Sequence, residues 1–390
     1  MVDPYTDSSR IGELEFVRRV RRAIHRHPEV GHHEWRTANY VERLLRRMGL
    51  APFRPAATSV AAVVGPEAAR PAIGFRADMD AIRVQESIGR GYASVRPGVM
   101  HACGHDAHTA ALLALARRLR IKPAPVAVLL IFQQAEETYP SGAPLVIEGL
   151  PKGLVPPEIF ACHVWPELAE GVVGVRAGTM MASVAGLTFN VYGHEGRASG
   201  TAADSGGVDA VSAAVRLYGR LRPDTGRQLH DASPTALSIG LIRGGDGPNR
   251  VATRCQLEGT LRALSWADQD AAVAAIEATA LAVADETGAK IEVAVTSGIR
   301  PPVQNSARSV ARLEAACRTL RVECRAYPDR PVGVSEDFGW YLDHADGAMF
   351  LLGCGRSDQH PDLHTPQFDL DEAVLLTATD VFQELAMATA

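Results

Sequence analysis

Val126-Ala127-Val128-Leu129-Leu130-Ile131-Phe132 is an unbroken apolar run, and Gln133-Gln134-Ala135-Glu136-Glu137 follows it directly. A continuous apolar block of this length suits a strand buried on both faces, as in a parallel sheet. Open α/β sheets gather ligands beyond the carboxyl ends of such strands. The paired glutamates stand at that place. Toward the N-terminus, Ala107–Leu119 is rich in Ala and Leu and reads as a buried helix, while Ala72–Phe75 and Val60–Val64 read as short strands. This strand–helix–strand rhythm predicts an α/β domain, a largely parallel sheet with helices on its faces.

Further out, residues 10–50 read as two helices. Ile11, Leu14, Phe16, Val17 and Val20 recur at helical spacing, the turn His27-Pro28-Glu29-Val30-Gly31 interrupts, and the period resumes from Thr37 to Met48. The pattern changes after about residue 182. Leu187–Tyr192, Ala236–Leu241, Cys255–Leu261 and Lys290–Thr296 read as strands, and Val208–Leu221 and Asp268–Glu286 as helices. Their order fits a small α+β unit of the split βαβ kind. Beyond residue 300 the first pattern returns, with a strand at Ala348–Leu352 and a closing helix at Asp371–Met387. The expected organisation is one α/β domain of residues 1–184 and 297–390, with residues 185–296 inserted as a second domain.

Composition sets bounds on the partners. The 390 residues are 46% hydrophobic, with 40 basic against 45 acidic side chains. That content excludes a disordered chain, and the small acidic excess argues against nucleic acid as a partner. No apolar run is long enough for a membrane span, so no membrane is expected. The first residues lack a basic stretch followed by an apolar one. A cytoplasmic protein with reduced thiols at Cys103, Cys162, Cys255, Cys317, Cys324 and Cys354 is expected.

The densest chemistry lies in His101-Ala102-Cys103-Gly104-His105-Asp106-Ala107-His108, at a loop-to-helix junction. A Cys two residues before a His can put a thiolate and an imidazole on one ion. Adjacent glutamates point in different directions, so one of Glu136 and Glu137 can ligate a metal while the other faces a substrate as general base. A solvated Glu-Glu pair opening a helix is the plainer alternative. His163, after the apolar run Glu158–Ala161, and His364 are weak signals singly, and Asp78 and Asp80 stand at a strand end, where one could orient a metal-binding imidazole. Together these loops offer ligands for one or two divalent metals with a carboxylate to spare, all outside the inserted segment.

At this point the chain resembles the zinc-type metallopeptidase family of aminoacylases, hippurate hydrolases and plant auxin-conjugate amidohydrolases. The matching stretches are RRAIHRHPEVGHHE, FRADMDAI, GVMHACGHDAHTAALL, LLIFQQAEE, ACHVWPELAEGVVGVRAGTMMAS, GGDGPNRVAT, EGTLRAL, SEDFGWYL and LHTPQFDLDE, in family order and over nearly the whole chain. The resemblance implies a mixed-sheet metallopeptidase domain with an inserted dimerisation or lid domain. It implies Cys103, His105, Glu137, His163 and His364 as ligands of one or two divalent ions (Mn, Zn, Co or Ni). It implies Glu136 as the general base that activates water and Asp80 as the carboxylate supporting a ligand. Asn249 and Arg262 match residues that hold a substrate's carboxylate, often across a dimer interface, so a homodimer or larger homo-oligomer is expected. The implied activity is hydrolysis of the amide of a small N-acyl or N-aroyl amino acid with a free carboxylate.

The chain departs from the family in the inserted segment. Where the family carries Gly-Gly-His-Ala-Ala, this chain has Gly193-His194-Glu195-Gly196-Arg197-Ala198-Ser199, so Arg197 stands at the place of the histidine. Arg197 is read as a charged oxyanion or carboxylate clamp, with His194 as an alternative source of the imidazole. Arg83 and Gln134 stand where the family has Pro. An aminohydrolase removing the amino group of an aromatic carboxylate, such as a nitroanthranilate, is the competing activity. A non-catalytic binder would have little need for a spare general base. A Cys103 nucleophile paired with His105 suffers because i and i+2 do not face each other on a helix.

Overall fold

The computed structural model describes residues 9–66, 70–87, 89–196, 206–223, 229–230, 232–245, 247–355 and 361–389, with only the backbone at 296 and 297. The chain forms two compact units: one takes the chain to Gly178, Val303–Asp329 and Asp337 onward, the other Thr179–Pro302 and Arg330–Glu336.

The first unit opens with helices α1 (Arg10–His25) and α2 (Trp35–Arg47). Ser9 caps α1 by accepting from the Gly12 N–H at 3.1 Å, and the helix buries Phe16, Val17, Val20 and Ile24. Strands β1 (Val60–Val64), β2 (Ile73–Asp78), β3 (Val128–Gln133) and β4 (Glu158–Ala169) follow, with α3 (His105–Ile121) between β2 and β3 and α4 (Gly142–Gly149) between β3 and β4. After β5 (Val173–Val175) the chain enters the second unit, where β6 (Gly178–Met181) and β7 (Ser183–Tyr192) begin.

One sheet of seven strands has the order β1–β3–β2–β4–β13–β5–β12, where β12 is Cys324–Ala326 and β13 is Asp346–Gly355. The central pairs β3–β2, β2–β4 and β4–β13 are parallel. The sheet is nonetheless mixed, because β1 pairs antiparallel with β3 and β5 antiparallel with β13. The largely parallel sheet expected is found in the central strands, which are covered on both faces and read as apolar runs, and again where β12 joins β5. β3 is buried along its whole length.

Helix α3 is buried on nearly every side. It packs on the sheet together with α9 (Leu375–Met387), which follows a 3-10 turn at Glu372–Val374. The closing helix therefore starts a turn later than its apolar pattern suggests. β4 runs longer than its apolar segment, since it pairs with β13 from Glu158 to Trp165. His163 accordingly lies inside a strand rather than in the loop after one. The remaining elements of this unit are β11 (Val303–Asn305), α7 (Ala307–Leu320) and α8 (Gly339–Leu342).

The second unit continues β7 with α5 (Ala210–Leu221), β8 (Thr235–Gly244), β9 (Arg254–Ala263), α6 (Trp266–Thr287) and β10 (Lys290–Arg300). Its antiparallel sheet has the order β10–β7–β9–β8, a split βαβ arrangement. Burial alternates along β7, with Leu187, Phe189 and Val191 packed against the Ala213, Leu217, Ile276 and Val283 side of the helices. Among the described residues no helix is long and apolar enough to cross a membrane.

Candidate active site

The site is built at the carboxyl ends of β2 and β3, the start of α3 and the middle of β4. Gly104 makes the first contact possible. It caps α3 at φ +90°, a left-handed conformation, and a Cβ there would lie 2.4 Å from Val164 Cγ2. Only glycine lets the Cys103–His105 corner approach β4 so closely. The result is Cys103 Sγ at 3.4 Å from His163 Nε2. Gly104→Ala is therefore expected to lower stability by about 1–3 kcal/mol, read as a lower midpoint in urea unfolding.

Each imidazole is oriented by its other nitrogen. His163 Nδ1 donates to the Val164 carbonyl at 2.7 Å, which turns Nε2 toward Cys103. His105 Nδ1 lies 3.2 Å from Asp80 Oδ1. Its Nε2 is buried and has no partner in hydrogen-bonding geometry among the described residues. A carboxylate behind one nitrogen and a bare second nitrogen is the arrangement of a metal-ligating histidine.

The glutamate pair is aimed by its backbone. Ala135 has φ +53°, a left-handed conformation that costs an L-residue about 1–2 kcal/mol. Its N–H donates to Glu34 Oε1 at 2.7 Å and its carbonyl accepts from Gly142 N at 2.9 Å. The next amides, of Glu136 and Glu137, donate to the two Asp80 oxygens at 3.0 and 2.9 Å. Asp80 thus holds His105 and both glutamates at once. The side chains separate: Glu137 Oε1 lies 3.0 Å from His364 Nε2, while Glu136 Oε1 accepts from the Asp337 N–H at 3.4 Å. No helix opens at this pair, since α4 begins at Gly142. His364 has φ +63°, its N–H donates to the Ala102 carbonyl at 2.8 Å, and its ring is half exposed.

Ligand atoms of Cys103, His105 and His163 lie within 4.8 Å of one another, as do those of Cys103, Glu137 and His364. The two groups share one sulfur and can hold one ion or two. The electrostatics also fit a cation. Burial pushes the Cys103 thiol well above its usual value, and Glu137 adds to that. Burial would lower His105, but Asp78, Cys103 and the bond to Asp80 outweigh it and hold the ring well above its usual value. The neighbouring carboxylates Asp78 and Glu137 thus favour positive charge in this cavity. A thiolate, three imidazoles and a carboxylate are a donor set for Zn and its borderline neighbours. Burial opposes ionisation of Glu137, yet its bond to His364 and the nearby His105 bring it well below the usual carboxylate range.

Several supporting residues were not singled out by sequence reasoning. His108 donates from Nδ1 to Asp78 Oδ1 at 2.6 Å and accepts the Val164 N–H at 3.0 Å, so it pins the strand that carries His163. Arg76, fully buried, reaches Asp78 and Asp337, each at 2.7 Å, and Gln133 at 2.9 Å. The alternation of Arg76 and Asp78 along β2 was the available signal. Burial pushes Glu34 up to about 7, with Asp80 adding to it. His101, also in the dense motif, joins none of the ligand groups, and burial takes its ring down to about 3. Gln134 uses what the family's Pro lacks: its N–H donates to Ser59 Oγ at 3.0 Å and its side chain accepts from Thr58 N at 2.7 Å. Arg83 is exposed.

The residues expected to hold the substrate are in the second unit. Asn249 and His194 are exposed. Arg262 donates to the Gly333 carbonyl at 2.7 Å and to Thr260 Oγ1 at 3.1 Å. Arg197 lies outside the described residues.

The model of peptidase family M20/M25/M40 matches residues 74–388. A "probable hydrolase" of Synechocystis sp. is 35% identical over 369 residues, which are 92% of this chain and 91% of that protein. The N-acetyl-L-cysteine deacetylase of Bacillus subtilis is 30% identical over 371 residues, 94% of this chain and 86% of that protein. A crystal structure of a Bacillus subtilis protein described as a dinuclear metal-binding peptidase of the M20 family superposes with TM-score 0.83 at 28% identity, covering 97% of this chain and 98% of that one. Taken with the geometry, these matches establish that the chain belongs to peptidase family M20/M25/M40 and is a metal-dependent hydrolase of carbon–nitrogen bonds.

Proposed function

We propose that the enzyme hydrolyses the amide of a small N-acyl or N-aroyl amino acid that carries a free carboxylate, with Glu136 as general base. The observation that carries this reading is the divergence of the two glutamates. Glu137 joins a ligand group with Cys103 and His364, and Glu136 is buried beside it on its own backbone support at Asp337. The relatives named for deacetylation support the substrate class.

Cys103, His105, Glu137, His163 and His364 would hold one or two divalent ions, with Mn, Zn, Co and Ni as the candidates. An ion held there would acidify water and polarise the carbonyl under attack. Glu136 would take the proton from the attacking water on a carboxylate oxygen and hand it to the leaving nitrogen. Asp80 would keep His105 in the ligating tautomer and both glutamates in place. The substrate's carboxylate is assigned to Asn249 and Arg262, and a developing oxyanion to Arg197, with His194 as the alternative imidazole. Residues 185–296 are assigned the role of a dimerisation or lid domain, and the working state is a homodimer or larger.

Dialysis against a chelator is expected to abolish hydrolysis of an N-acyl amino acid panel, and added Mn, Co, Ni or Zn to restore it. Mass spectrometry of the products decides the bond. A carboxylic acid and a free amino acid support the reading. Ammonia released from an aromatic carboxylate without any carboxylic acid product overturns it in favour of an aminohydrolase. Full activity in the metal-free protein overturns both.

A further inference from the structure

Three successive amides, those of Ala135, Glu136 and Glu137, end on carboxylates. Asp80 takes the last two, and Glu34 takes the first. Glu34 comes from a distant part of the chain, immediately before α2, and it is fully buried. Its Oε2 accepts from Thr58 Oγ1 at 2.6 Å, and its Oε1 accepts from Ala135 N at 2.7 Å. Ala135 is the residue in the left-handed conformation, and the directions of the next two side chains follow from its backbone angles. The rest of the loop has other anchors. Gln134 is tied to Thr58 and Ser59, and Gly142 holds the Ala135 carbonyl. Loss of the Glu34 bond would therefore leave the loop attached and release only the Ala135 N–H, on the side of that residue where φ is set.

We propose that Glu34 is a positioning residue: its carboxylate holds Ala135 in the left-handed conformation and so aims Glu137 into the ligand group and Glu136 beside it. The inference rests on the reading of Glu137 as a ligand and Glu136 as the proton carrier. What matters in it is a hydrogen-bond acceptor at a fixed reach, not a charge. Glu34→Gln keeps that acceptor. Its amide nitrogen would face Thr58 Oγ1, whose proton has a second acceptor in Gln134 Oε1 at 3.1 Å. Glu34→Asp keeps the charge but withdraws the oxygen by one methylene.

The test is zinc affinity, measured by competition with a chromogenic chelator, together with kcat and KM at saturating zinc. Glu34→Asp is expected to weaken zinc binding by about 10- to 100-fold, the usual effect of losing a partner behind a ligand. Its kcat is expected to fall with KM nearly unchanged. Glu34→Gln is expected to stay close to wild type in both. Adding Ala135→Gly to Glu34→Asp is expected to recover part of the zinc affinity, because glycine adopts positive φ without a steric penalty. The reverse order of the two variants, or a Glu34→Asp protein with wild-type zinc affinity, overturns the proposal. The zinc measurement needs no substrate. If the wild type hydrolyses no N-acyl amino acid, the substrate reading falls while the order of the variants still decides the role of Glu34.

Discussion

Glu136→Gln is expected to lower kcat by about 100- to 10,000-fold, the range typical of losing a general acid–base group. An amide oxygen of the same shape accepts a hydrogen bond but does not carry a proton between water and a leaving nitrogen. The substitution should otherwise be quiet. Glutamine keeps an oxygen where Glu136 Oε1 accepts from the Asp337 N–H, and the side chain stays within its buried volume. Metal content, measured by elemental analysis of the purified variant, is expected to match wild type, and KM to move little. Glu137→Gln should behave differently. Its carboxylate sits 3.0 Å from His364 and shares a ligand group with Cys103, so metal binding should weaken and part of the lost activity should return at high metal concentration. Excess metal should restore nothing in Glu136→Gln. A Glu136→Gln enzyme that keeps more than about a tenth of its kcat would remove the general-base assignment.

Both glutamates stand out in the sequence as candidates because they follow an apolar run that suits a buried strand. Cys103 and His105 were legible for a related reason: a Cys-Gly-His corner opening an apolar helix has few structural uses. What stayed hidden was of two kinds. One is long-range pairing. Arg76 reads as a polar residue ending a short strand; its alternation with Asp78 is the one local sign, and its other acidic partner, Asp337, is 261 residues away. The other is backbone conformation at a residue with no conformational signature. Ala135 is an ordinary helix former, and its positive φ is imposed by Glu34, Gly142 and the Asp80 bonds to its neighbours. The sequence marks His163 as a candidate but places it after a strand, because the apolar run before it stops while the pairing with β13 does not. The mixed sheet was not legible in the strand–helix rhythm, because the directions of β1 and β5 depend on which strands they pair with, β3 and β13.

Arg76→Met is expected to be the most destabilising single change near the site. The guanidinium is fully buried and bridges Asp78, Asp337 and Gln133. Methionine fills much of the volume but leaves two buried carboxylates without their shared cation. Breaking a buried ion pair from one side costs about 3–5 kcal/mol, far more than removing both partners. For a unit of this size that corresponds to a fall in Tm of about 6–20 °C, measured by circular dichroism at fixed metal concentration. Asp78 keeps His108, and Asp337 keeps the Gln133 and Ala143 donors, so the protein should still fold at lower temperature. The loss should fall on Asp78 and Asp337, the two buried carboxylates that share the guanidinium. Adding Asp337→Asn to Arg76→Met should then recover part of the stability, whereas Asp337→Asn alone should destabilise, a non-additivity of about 0.5–3 kcal/mol for groups in one network. Strictly additive effects would mean that the two side chains do not depend on each other. Activity should follow the same logic. Asp337 supports Glu136 through its backbone N–H, so an Asp337 displaced to find water would draw that support away, and kcat should fall in Arg76→Met even at a temperature where the variant is fully folded.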